Sequence, residues 1–102
     1  MHKKVIVLKI KSGKLAKWKQ WCSELDEARR TEALETLREE GVNEELCVLI
    51  DIGGIPYVVA FSDGEMLSAD MTRDINQKHN ALKNECLQYI GEGESLYHLS
   101  DC

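Results

Sequence analysis

The order of its periodic segments assigns this chain to the α+β class, with four antiparallel strands in one sheet and two helices on one face. Three observations carry that assignment. Residues 12–41 are helically periodic, with Leu15, Trp18, Cys22 and Leu25 on one stripe. Residues 42–52 and 55–61 alternate on either side of Gly53-Gly54, the signature of a hairpin. Residues 73–90 carry a second stripe of Ile75, His79, Leu82, Cys86 and Ile90.

Taken in order, residues 3–11 (KKVIVLKIK) are rich in β-branched side chains and set Ile6, Leu8 and Ile10 against Val5 and Val7, a strand covered on both sides. Ser12 is placed to cap free helix amides and Gly13 to turn the chain. One long helix follows to Gly41. Beyond Ala28 its apolar positions become Ala33, Leu34 and Leu37, about a fifth to a quarter of a turn from the first stripe at about 100° per residue. The helix therefore bends near residues 28–31, or its halves meet different partners. Gly41 stands just past its end. In the first hairpin strand Leu46, Val48, Ile50 and Ile52 share one side, and Glu45, Cys47, Leu49 and Asp51 the other. In the second, Tyr57, Val59 and Phe61 oppose Val58 and Ala60, so both faces are apolar. Residues 62–72 read as a polar connection with a short helical turn at 65–69. Gly91 and Gly93 stop the second helix, and residues 94–100 (ESLYHLS) alternate as a last strand.

Strand, helix, strand, strand, helix, strand is the ferredoxin-like βαββαβ order. A sheet with helices on one face and apolar residues on the other needs a cover, and a second copy is the simplest one. The expected assembly is a homodimer through the open sheet face, a dimeric α+β barrel, with Val58 and Ala60 on the mating surface.

Bulk properties bound the function. The 102 residues make one domain, 1–102, long enough for a modest core. A formal net charge of −5 argues against nucleic acid as a partner, since phosphate recognition wants a basic face. The apolar runs are far too short to span a bilayer and no leader is written, so no membrane is expected and the place is cytoplasmic. Cys22, Cys47, Cys86 and Cys102 form no CxxC pair, and His2, His79 and His98 lack ligand spacing, so no metal and no cofactor is expected.

The motif EARRTEALETLREEGV, an alternating strand, a glycine hairpin and then INQKHNALKNECL are together similar to a family of short bacterial proteins known only as a domain of unknown function. KSGK at the entry to the first helix resembles the same place in antibiotic-biosynthesis-monooxygenase-like dimeric barrels. The likeness runs from Lys3 to about Leu87; the connection before His79, residues 64–72, is shorter than is usual in that family. What the resemblance implies is the fold and a cavity between helices and sheet, and no reaction. Some similar barrels ligate haem through a histidine at a place like His79, with an asparagine on the first strand and a tryptophan on the third. Those strands are VIVLKI and IPYVVAF here, so haem is not expected.

Arg29 and His79 are polar residues on otherwise apolar stripes, and both are expected to point toward the sheet. Arg29 fits a carboxylate or enolate, His79 an acid or base near neutral pH, and Tyr57 a hydroxyl donor. Trp18, Trp21 and Tyr97 are the expected ligand-binding residues. The bland alternative pairs Arg29 with Glu32, Glu45 or Asp51 and leaves His79 a satisfied core histidine. The expected function is binding or transforming a small organic ligand in that cavity. The competing class is a non-catalytic dimeric structural, sensor or interaction module.

Overall fold

In the computed structural model, which describes residues 2–101, β1 (His2–Ile10) lies between two antiparallel neighbours. One is β3 (Ile55–Gly64), which also pairs antiparallel with β2 (Val42–Ile52). The other is β4 (Leu87–Glu92), so the sheet order is β2-β3-β1-β4. Three helices accompany it: α1 (Leu15–Asp26), α2 (Arg30–Glu39) and α3 (Asp74–Cys86). The hairpin between β2 and β3 turns at Gly53 and Gly54, with φ of 62° and 84°. Two successive positive φ values are what a two-residue turn matching the strand twist demands, and glycine supplies them without steric cost.

The core is one cluster of Leu8, Ile10, Trp18, Trp21, Val58, Ile75, Cys86 and Leu87. Leu8 pairs with Val58, so the face they share is the one beneath the helices. Alternation then puts Tyr57, Val59 and Phe61 on the helix-free face, beside Lys9, Val7 and Val5 of β1 and Ile50, Val48 and Leu46 of β2. The expectation that Val58 and Ala60 form the open surface is thus corrected. A strand apolar on both faces gives no hint of which side the helices take.

The expected single long helix is two. Residues 27–29 form a turn in which the Arg29 amide donates to the Glu24 carbonyl at 2.7 Å, five residues back instead of four. One extra residue in the ladder rotates all that follows by about 100°. That is close to the offset between the two stripes, and past the break Thr36 is buried while Leu34 stays exposed. Gly41 follows α2 with φ 67°, the left-handed conformation that ends a helix.

Four further boundaries differ from expectation. Ser12 caps nothing; it lies in the turn closed by the Lys14 amide on the Lys11 carbonyl, 3.0 Å, and α1 has no side-chain cap. Residues 65–70 hold no helical turn, and β3 runs on to Gly64. α3 ends at Cys86, because residues 87–89 pair with β1 instead of adding a helical turn: Leu87, opposite Ile10, is buried in the core. The last strand is therefore β4, while residues 93–101 form no regular element and expose Leu96, Tyr97 and Leu99 almost completely. No helix of the described residues is long and apolar enough to cross a membrane.

Candidate functional site

α1 and α3 pack side by side over the sheet, and the contact is built from aromatic rings. Trp18 and Trp21, three apart on α1, flank the imidazole of His79 on α3 with ring centroids 6.0 and 6.1 Å away. The Trp21 indole Nε1–H donates to His79 Nδ1 at 2.9 Å. Indole can only donate, so Nδ1 must carry a lone pair, and the proton of the neutral ring resides on Nε2. Burial holds the imidazole neutral, lowering its pKa to about 4, and the ammonium of Lys83 adds to that shift.

His79 also forms part of the wall of an open cleft of about 890 Å³ bounded by α1, α2, α3 and β2. Leu25, Leu37 and Ile75 give this cleft an apolar side, and Asn80, Lys83 and Glu45 a polar one. Glu45 sits on β2 with its carboxyl pKa raised by burial, an effect Lys83 partly offsets. A pocket of about 200 Å³ adjoins along α1 and β2, with Trp18, Leu49 and Val58 in its wall. Cys22 of α1 and Cys47 of β2 line both spaces.

Of the residues expected at the site, Trp18, Trp21 and His79 come together. Arg29 stands outside the cleft wall at the start of α2. Its Nε donates to Glu32 Oε1 and its Nη2 to Asp74 Oδ2, both at 3.1 Å, and its guanidinium lies 5.8 Å from the Trp21 ring centroid. Of its expected pairings, Glu32 is the one formed. Tyr57 is on the opposite, helix-free side of the sheet, and Tyr97 is in the exposed tail. Arg30 pairs with Asp26 at 2.8 Å, as its spacing implies. The sequence reading missed Cys47, Glu45, Asn80 and Lys83. Alternation already put Glu45 and Cys47 on one strand face, but only the packing of α1 and α3 reveals that this face borders a cleft. Among the described residues no group of three or more His, Cys, Asp or Glu could hold a metal ion.

No curated protein and no solved structure matches this sequence. A family of unknown function, DUF6176, matches residues 1–101, and the chain belongs to that family.

Proposed function

We propose that this protein binds a small organic ligand in the cleft between the helices and β2, as a homodimer of ferredoxin-like subunits joined through their helix-free sheet faces. The observation that carries the ligand reading is the state of His79. Its Nδ1 is occupied by Trp21, so Nε2–H is the group left to meet a ligand at the cleft wall. Small-molecule sites combine an apolar wall with a few placed polar groups, and this cleft has both. Its donors, His79 and Lys83, suit a ligand bearing a carbonyl or carboxylate acceptor. An Nε2 that carries the proton is a donor and not a general base, which favours binding over proton-transfer chemistry.

The insertion of β3 between β1 and β2 supports the split βαβ reading. Rows of Val7-Val59-Val48 and Val5-Phe61-Leu46 on the helix-free side support the dimer, because a flat apolar face can mate with itself about a two-fold axis. This is the assembly of the dimeric α+β barrels that the motifs resemble.

A thermal-shift screen of small carboxylic acids and carbonyl compounds, run on wild type beside His79→Ala, tests the ligand reading. A compound that raises the melting temperature of wild type alone supports it. Equal shifts in both proteins, or none across the set, would overturn it.

A further inference from the structure

Cys22 and Cys47 come from elements far apart in sequence, yet together they border both the cleft and the adjoining pocket. Cys86, by contrast, is fully buried in the core. Neither member of the pair is sealed in that way: Cys22 is half-buried and Cys47 is exposed. We propose that Cys22 and Cys47 are a dithiol site, which a hydroperoxide oxidises to an intramolecular disulfide tying α1 to the edge strand β2 where the two spaces meet.

The chemistry assigns the two thiols different parts. Hydrogen bonding to Cys22 lowers the Cys47 pKa, against opposing effects of burial and Glu45. The same bond raises that of Cys22, with burial acting in the same direction. Cys47 is therefore the thiol that ionises first, and the thiolate is the nucleophile. Its sulfur attacks one peroxide oxygen, the O–O bond breaks, and the other oxygen leaves as alkoxide or hydroxide and takes up the proton that Cys47 released. Cys47 is then a sulfenic acid. The Cys22 sulfur attacks the Cys47 sulfur, the S–O bond breaks, and water departs with the Cys22 proton. Two thiols lose two electrons, and the hydroperoxide is reduced to an alcohol, or water, plus water.

A second thiol on the wall of the same two spaces makes the outcome a crosslink instead of further oxidation of Cys47. The disulfide holds its sulfurs about 2.05 Å apart and so ties α1 to β2 where the two spaces meet. None of this depends on the ligand proposed above.

Purified, reduced full-length protein treated with one equivalent of hydrogen peroxide tests the site. The expected product is a monomeric chain lighter by about 2 Da, for two hydrogens lost. Its digest should contain one linked pair of peptides spanning Cys22 and Cys47, and dithiothreitol should restore the starting mass. Cys22→Ser should leave a sulfenic acid on Cys47 that dimedone traps, whereas Cys47→Ser should leave Cys22 unlabelled. Mapping in the wild-type chain needs no variant to fold. A Cys47 sulfinic acid beside a reduced Cys22, links that map to other cysteines, or unchanged mass would each overturn the proposal.

Discussion

The Trp21 indole donates its single N–H to His79 Nδ1 across 2.9 Å, joining the most buried tryptophan of α1 to the one histidine of α3. This bond determines the tautomer of the histidine, burial keeps the ring neutral, and together they decide what the cleft wall offers.

Because the folded pKa of His79 is near 4 and the ordinary histidine value is 6.5, the unfolded chain binds a proton through that interval while the folded chain does not. Stability contributed through this group is intact above pH 6.5, falls as pH drops, and levels off below about 4. The full loss is about 3 kcal/mol at 1.36 kcal/mol per unit. Urea titrations at pH 7 and pH 4.5 on wild type and His79→Phe measure it as the difference between the two proteins. Trp21→Phe should free Nδ1 and let the histidine titrate at a higher pH, read from its imidazole NMR shifts. Parallel pH profiles for wild type and His79→Phe would contradict the burial argument.

Val59 lies between Val7 and Val48 on the helix-free face, whereas its neighbour Val58 is 2% exposed beneath the helices. Val59→Glu should turn the proposed dimer into a folded monomer by light scattering at micromolar concentration. Val58→Glu should instead cost several kcal/mol and unfold much of the protein, since an unpaired carboxylate has no place in the core. A wild-type monomer would end the dimer reading.

Arg29 bridges the starts of α2 and α3 through Glu32 and Asp74, and the Asp74 side chain is 84% exposed. Exposed ion pairs are worth about 0.2–1 kcal/mol and fade with salt. Arg29→Ala should therefore lower stability by no more than about 1 kcal/mol, less in 1 M salt, and leave any ligand shift in the thermal screen unchanged. A ligand response that vanished with Arg29 would return that residue to the site.

How far the chain could be read depended on how local each decision was. The hairpin was legible because Gly53-Gly54 between alternating strands leaves the backbone one economical turn. The helix break was visible as an offset between two stripes, but only a backbone hydrogen bond spanning one extra residue distinguishes a break from a bend. The last strand was misplaced because residues 87–90 continue a helical stripe as well as they form a strand. Pairing with β1, which buries Leu87 against Ile10, selects the strand.

By itself the sequence determined the α+β class, the hairpin, and the two helical stripes whose apolar residues become the core, because strand and helix periods are properties of neighbours along the chain. The tertiary structure alone decided which sheet face is covered, that His79 is a neutral donor held by Trp21, that Arg29 stands outside the cleft, and that Cys22 and Cys47 border the same two spaces. Those outcomes depend on elements distant in sequence meeting at particular angles, and desolvation and hydrogen bonding act only once they have met.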